Sequence, residues 1–449
     1  MVYGLDPSIV RYVMRKVRKE SGYRQEDIAD AAMSYGTISN IERGVGNVDE
    51  KTILRYLTKL GLNEAALKNI VKKELERMEE LTFQLQLIEL MLDNNKLGTH
   101  AEQMLKNIGI ERYHPLAPFY TYLEGRCFQA KKAYDKAEKH YKFAIRLHNQ
   151  YKLLSKDNIV SICYNELSIC YYVQNKIDKA LHYVEKGLAE YVEHEGSEDR
   201  RDIKAPMLNN KALYLLNLSQ YEAAKQIIDE MWAKRFEIRS SYYTLLNIYK
   251  YRAMLLRKMQ KYAEAIEICK EGIHLGFRNN IQNRYLDIMN ILGSIYLLQK
   301  QMDKAEHYFQ MVLNHDYECN HPRSQTDALT YLAIIYAHEK DWAKAEGHIQ
   351  RALDVARNNY RNRLSKVLIV AGNIYAEQQK STLAIPCYQE AEQLALKDGL
   401  KKRQYTALLQ LAKCFDSMEA ENEWKVTIKK VMNLQQELNL QSEEEVYAI

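Results

Sequence analysis

A pattern of about forty residues recurs seven times in this 449-residue chain, and nothing else in the sequence constrains the fold as strongly. The segments "AYDKAEKHYKFAI", "KIDKALHYVEKGL", "QYEAAKQIIDEM", "KYAEAIEICKEGI", "QMDKAEHYFQMVL", "DWAKAEGHIQRAL" and "STLAIPCYQEA" share an alanine, at Ala137, Ala180, Ala224, Ala265, Ala305, Ala345 and Ala384. Before each lies a second helical segment with a small residue in register: Gly125, Ser168, Ala212, Ala253, Gly293, Ala333 and Gly372. Three residues on comes a large one, as in Phe128, Tyr171, Leu215, Tyr296, Tyr336 and Tyr375. A pair of helices touching at small side chains cannot bury its apolar surface alone, so such units stack into an array. The predicted fold class is therefore all-α, with an elongated solenoid. Only 17 Gly and 6 Pro, against 34 Tyr, fit a helix-rich chain.

The flanks of the array depart from the repeat, as terminal units of solenoids do. "LERMEELTFQLQLIELMLD" with "THAEQMLKNIGI" reads as a degenerate leading pair. "YTALLQLAKCF" with "NEWKVTIKKVMNL" reads as a closing pair with a polar outer face, and "QSEEEVYAI" as an acidic tail. Pro386, early in its helix, should remove one hydrogen bond and bend the helix slightly.

Several function classes are excluded or disfavoured. A net charge of +5 is too mild for a protein that coats nucleic acid over its whole surface. A local basic patch remains, in Arg11, Arg15, Lys16, Arg18, Lys19 and Arg24. The seven cysteines form no CxxC pair and suit a reducing cytoplasm; Cys163 and Cys170 should face core. No apolar run approaches the ~20 residues needed to cross a bilayer, so the expected location is cytoplasmic, with no membrane partner. There is no GxGxxG, Walker loop, HExxH or GxSxG, so no catalytic residue, enzyme activity, metal or cofactor is expected. "HDYECNH" (His315, Glu318, Cys319, His321) has no metal-ligand spacing and reads as a polar loop.

The first sixty residues follow a different rhythm. Ser8 to Glu20 reads as a helix with Ile9, Val10, Val13, Met14 and Val17 on one face. "RQEDIADAAM" predicts a second, burying Ile28, Ala29 and Ala32. Ser34 is placed to cap a third over Tyr35 to Arg43, with Ile38 and Ile41 inward and Gly44 as its stop. Asp49 begins a fourth. Small helices joined by tight turns, the third with short polar side chains, are what a helix-turn-helix needs to approach base edges.

Gln25 with Ile28 and Ala29, followed by "TISNIERG", resembles the Cro/phage-repressor (Xre) family of DNA-binding domains over about residues 8–62. The resemblance implies that Gln25 holds a phosphate, that Tyr35, Gly36, Thr37 and Asn40 face the major groove, and that Ser39 contacts the backbone. Ser34 and Arg43 complete the candidate DNA-binding set, with Arg18 and Glu42 as an internal ion pair. Asn can bond bidentately to adenine, and a Thr methyl can touch thymine. Gly36 departs from the pattern by offering no side chain to a base.

The seven units resemble tetratricopeptide repeats, lengthened from the usual ~34 residues. That family implies a right-handed solenoid whose first helices line a concave groove, with aromatic rings filling the gap to the next pair. In this register Asn165, Asn209 and Asn290 face the groove, with Asn210, Asn247 and Asn373 nearby. Asn is a mediocre helix former, and its amide both donates and accepts, so its recurrence predicts contacts to the peptide groups of an extended ligand. Tyr251, Arg252, Tyr331 and Lys366 are candidates for selectivity.

The combination resembles the Gram-positive quorum-sensing regulators of the Rap, Rgg, NprR, PlcR and PrgX group, in layout the PlcR and NprR-like members. It implies a cytoplasmic homodimeric transcription factor that binds an operator in double-stranded DNA and a short signalling peptide. The implied organisation is a DNA-binding domain over 1–66, a linker helix and leading pair over 67–116, a peptide-binding array over 117–440 and a tail over 441–449. Two other readings stand beside it: control of response-regulator phosphotransfer, with Gln84 or Gln86 orienting a water, and a scaffold for a folded protein.

Overall fold

The computed structural model describes residues 2–93, 98–151, 158–193, 203–218, 220–238, 241–315, 321–359 and 361–438. Among them the regular structure is helical, with one isolated bridge between Asp30 and Met33. "HDYECNH" apart from its two end histidines, and the acidic tail, lie outside the described residues. No described helix is long and apolar enough to cross a membrane. The chain divides into two compact units, Met1–Tyr214 and Leu215–Ile449.

The first unit opens with helices α1 (Pro7–Glu20), α2 (Gln25–Ile28), α3 (Tyr35–Arg43) and α4 (Glu50–Lys59). Asp6 caps α1 by accepting from the Ser8 amide at 2.7 Å, and Asp49 caps α4 by accepting from Thr52 at 2.6 Å. Helix α2 stops at Ile28, well short of the predicted end at Met33. The reason is Asp30, whose carboxylate accepts from the Ala32 and Met33 amides at 2.9 and 2.8 Å and holds the chain in a turn. In consequence Ala32 is exposed and Met33 is buried in its stead.

Helix α5 (Glu64–Asp93) belongs to two cores at once. Leu67 and Val71 pack with Val13, Ile38, Ile41 and Leu57 of the N-terminal helices. Leu85, Ile88 and Leu92 pack with α6 (Gly98–Ile108) and with α7 (Ala117–Ala130) of the first repeat. Helices α8 (Tyr134–Tyr151), α9 (Ile159–Val173) and α10 (Ile177–Ala189) continue the array, and α11 (Lys204–Asn217) straddles the division.

The second unit runs through α12 (Tyr221–Ala233), α13 (Tyr242–Lys258), α14 (Tyr262–Arg278), α15 (Gln282–Leu298) and α16 (Met302–His315). It then continues with α17 (Pro322–His338), α18 (Trp342–Asn359), α19 (Arg361–Glu377), α20 (Ser381–Lys397), α21 (Lys401–Ser417) and α22 (Glu421–Leu438). Helix α20 runs through Pro386.

All seven anchor alanines are fully buried. The small residues of the first helices lie under rings of the second. A Cβ added at Gly125 would stand 2.5 Å from Tyr141, one at Gly293 2.8 Å from Phe309, and one at Gly372 2.5 Å from Tyr388. The aromatics of the first helices behave differently from the family expectation. They pack inside their own hairpin, each on a ring twelve residues later: Phe128 tilted on His140 at 4.9 Å, and Tyr171 stacked on Tyr183 at 5.2 Å, Tyr296 on Tyr308 at 5.5 Å and Tyr336 on His348 at 5.3 Å.

Scarcity of glycine does not prevent tight turns. Lys132, Asn175, Gln260, Lys300, Lys340, Gln379 and Glu419 all adopt left-handed backbone with φ between 57° and 62°. The amide that follows bonds back across the helix end, as from Gln301 to the Tyr296 carbonyl at 2.9 Å and from Lys380 to that of Tyr375 at 2.9 Å.

Candidate DNA-reading face and solenoid recess

Helix α3 is held from both ends and from behind. Ser34 Oγ accepts from the Thr37 amide at 3.1 Å, and at the other end Gly44 takes φ 66° while Val45 bonds back to the Asn40 carbonyl at 3.0 Å. Gly44 has a second reason to lack a side chain: a Cβ there would sit 2.4 Å from the Arg11 guanidinium.

Behind the helix, Glu42 is buried and fully engaged. It accepts from Arg18 Nε at 2.5 Å and Nη2 at 3.0 Å, from Gln25 Nε2 at 2.8 Å and from the Tyr56 hydroxyl at 2.6 Å. Burial pushes the Glu42 pKa up, but the bonds from Arg18 and Tyr56 outweigh it and leave the carboxyl below its ordinary value. This cluster fixes α1, α2, α3 and α4 to one another.

With Ile38, Ile41 and Glu42 inward, α3 turns Tyr35, Asn40 and Arg43 to solvent, with Gly36, Thr37 and Ser39 half-buried between them. Gln25 lies at the start of α2, its amide nitrogen committed to Glu42.

The basic run is only in part the surface patch expected of it: Lys19 and Arg24 are exposed, but others are drawn inward or paired. Arg18 is committed to Glu42, and Lys16 Nζ lies 2.5 Å from Glu74 of α5. Arg15 and Lys19 lie over the Tyr113 ring, at 5.0 and 4.6 Å. The Tyr12 hydroxyl also donates to Glu74, at 3.2 Å. Its ring stands edge-on to His114 at 5.0 Å. Burial lowers the His114 pKa to about 4, and the neutral ring accepts from the Leu116 amide through Nδ1 at 3.0 Å.

The asparagines divide between the units and are already partly used. In the first unit Asn165 and Asn209 are buried, and Asn210 Nδ2 donates to Asn165 Oδ1 at 2.9 Å, linking α11 to α9. In the second, Asn290 Nδ2 donates to the Ser324 carbonyl at 2.9 Å, linking α15 to α17, and Asn373 accepts from the Tyr388 hydroxyl at 2.7 Å. Asn247 and Tyr251 are buried on α13, and the Tyr331 ring stacks on Phe309 at 4.7 Å. Arg252 pairs with Asp229 of α12.

What the sequence reading missed is a charged recess of about 50 Å³ in the second unit. Lys250, Arg257, Asp287, Arg323, Asp327 and Arg363 line it, together with Asn290 and Tyr331. Asp287 meets Arg284 at 2.8 Å, Arg323 at 3.1 Å and Lys250 at 3.5 Å, and accepts from Ser324 Oγ at 3.1 Å. Arg363 reaches Asp327 at 3.2 Å and Arg257 donates to Ser294 at 2.6 Å. A signal was present: these charges interrupt first helices that are otherwise apolar, and Lys250, Asp287 and Ser324 are spaced 37 apart.

Residues 14–67 match the helix-turn-helix family model, and residues 325–397 match the tetratricopeptide repeat model. The chain joins an Xre-type helix-turn-helix domain to tetratricopeptide repeats. No curated protein sequence matches it. Among solved structures, a Rap protein complexed with competence and sporulation factor is 17% identical, with a TM-score of 0.57 over 80% of this chain and 99% of that one. The apo quorum sensor NprR from B. thuringiensis is 16% identical, with a TM-score of 0.56 over 80% and 99%. NprR in complex with its cognate peptide NprX is 14% identical, with a TM-score of 0.55 over 79% and 99%. At these identities the likeness is one of fold. The succession of paired helices itself runs on both sides of the residues that the repeat model matches.

Proposed function

We propose that the protein is a cytoplasmic, peptide-responsive transcriptional regulator that binds a palindromic operator as a homodimer. The observation that carries this reading is helix α5, which contributes to the core behind the DNA-reading helix and to the core of the leading repeats. Tyr35, Thr37 and Asn40 read the major groove, with Gly36 facing it without a side chain, and Gln25, Ser34, Ser39 and Arg43 position the backbone. For a short signalling peptide the repeats of the first unit offer Asn165, Asn209 and Asn210, and those of the second, taken by themselves, offer Asn247, Tyr251, Asn290, Tyr331 and Asn373. Residues 1–66 serve the DNA, 67–116 the connection and 117–440 the peptide.

In a dimer the two recognition helices must lie about 34–36 Å apart, or a multiple, to enter successive major-groove faces. Peptide changes that spacing only through different affinities for two shapes of the array. The cognate peptide bound by the NprR neighbour supports the class of ligand. Control of phosphotransfer draws no comparable support, since Gln84 donates to Glu80 on its own helix at 2.9 Å.

The test is selection of random duplex DNA by the purified protein, with and without the peptide-sized fraction of spent culture medium. An enriched palindrome whose recovery changes with that fraction is the expected result. Enrichment of nothing under either condition would reject the reading.

A further inference from the structure

The recess in the second unit combines two unmet needs. Its lining residues include four cations, Lys250, Arg257, Arg323 and Arg363, but only two carboxylates, Asp287 and Asp327. The nearby Lys366 feels the charges of Arg363, Asp327, Arg403 and Arg257, and its ammonium nitrogen is shielded from solvent with no hydrogen-bond partner among the described residues. Asn290 is 5% exposed and has spent its amide nitrogen on Ser324; its carbonyl oxygen, also shielded, meets no donor among the described residues. Positive charge in excess calls for an anion, and an unused acceptor calls for an N–H.

One chemical unit supplies both within a few ångströms: an amino-acid residue that carries a carboxylate beside its own backbone amide. A space of about 50 Å³ suits a group the size of a few waters, and therefore a carboxylate head more than a whole side chain. Asp287 and Asp327 in the wall oppose a doubly charged anion such as a phosphate monoester.

We propose that this recess is the subsite for a carboxylate-bearing residue of the peptide, with Arg257 and Arg363 of the lining taking the carboxylate, the Lys366 charge reinforcing them from behind the lining, and Asn290 Oδ1 accepting the N–H of the same residue. The proposal rests on the peptide-binding reading above and refines it. Desolvation and the neighbouring guanidinium groups hold the Lys366 ammonium well below its ordinary pKa, and burial lowers that of Lys250 to about 8. An incoming carboxylate leaves that burial in place but adds an opposite charge, which opposes the neighbouring guanidinium groups and favours the charged amine. The carboxylate is either an Asp or Glu side chain or the peptide's C-terminus, chemistry that the two share.

The experiment is affinity capture of random hexapeptides by the full-length protein, read by mass spectrometry. Three mixtures are used: free C-termini, amidated C-termini, and free C-termini with Asp and Glu omitted. Loss of capture on amidation identifies the terminal carboxylate, and loss on omission identifies the side chain. Either supports the subsite. Lys366→Met, which removes a buried amine without a hydrogen-bond partner among the described residues and so leaves folding intact, should weaken the captured peptides by about tenfold, the scale of one nearby charge in a partly buried site. Lys366→Arg should retain them, and the amide analogues should not distinguish wild type from Lys366→Met. Equal capture from all three mixtures overturns the subsite but leaves peptide binding standing. Capture of no peptide by the wild-type protein overturns both.

Discussion

Arg18 and Glu42 meet inside the N-terminal core, Nε to Oε1 at 2.5 Å, and through that pair the first helix sets the angle of the third. Both side chains are almost wholly excluded from solvent, at 7% and 1% exposure, so the pair differs from a surface ion pair in what its loss would do. Removing one partner leaves a buried charge without compensation.

Glu42→Ala should therefore destabilise the helix-turn-helix by about 3–5 kcal/mol, because Arg18, Gln25 and Tyr56 lose a common acceptor. Hydrogen exchange of the α3 amides measures this directly. Since the folded carboxyl is held below its ordinary value, the stability it contributes is present above the unfolded pKa and is lost as pH falls through the folded one. Protection of α3 that is unchanged in the variant would contradict the account.

Asn40 is exposed on α3 and lies on the face proposed for bases. Asn40→Ala should leave the thermal midpoint unmoved and weaken binding to a selected operator by about 1–3 kcal/mol. A binding isotherm that superimposes on wild type would remove Asn40 from the reading set.

The same substitution should act with opposite signs at two glycines of the array. Gly293→Ala forces a methyl to 2.8 Å from Phe309, an overpacking that costs about 1–3 kcal/mol. Gly347→Ala, on the exposed face of α18 with nothing within 4 Å, should stabilise by up to about 1 kcal/mol through helix propensity. Denaturant midpoints of the two variants compared with wild type decide the matter.

His114 predicts an acid-sensitive first unit. Its folded pKa is lowered to about 4 by burial, against an ordinary 6.5, with Glu74, Arg77, Lys16 and Glu111 as its charged surroundings. Between those values the unfolded chain binds the extra proton, so stability is complete above pH 6.5 and declines toward pH 4, by up to about 3 kcal/mol. In His114→Gln that slope should flatten, as measured by unfolding across the same pH range.

The array was legible because its information is periodic. Alanine at one register in seven units reports a close helix contact without further context, and Ser34 and Gly44 mark the ends of α3 by local chemistry alone. The end of α2 was not legible in this way, because Asp30 can serve a helix or a turn and only the structure shows it bonding to Ala32 and Met33. Spacing also could not tell that Arg18 and Lys16 turn inward, since their acceptors lie 24 and 58 residues away. At the asparagines the register was readable but the partner was not: Asn290 and Asn210 each spend an amide nitrogen on a neighbouring first helix. The charged recess went unread because a lysine or aspartate within an apolar segment looks like a solvated exception until its counterions arrive from the adjacent repeats.

Helix α5 has 30 residues, which at 1.5 Å each make a rod about 45 Å long. Its early part is clamped among the helices that present Asn40, its late part among those that open the repeats, and Glu74 is hydrogen-bonded to α1 between them. A rod so held converts angle into distance. Tilting it by about 5° at one end would carry the other through about 4 Å, comparable to the ~3.4 Å rise between stacked base pairs. Under the proposed function, such a lever would need no large rearrangement at a bound peptide to misplace a recognition helix by a full step along its operator.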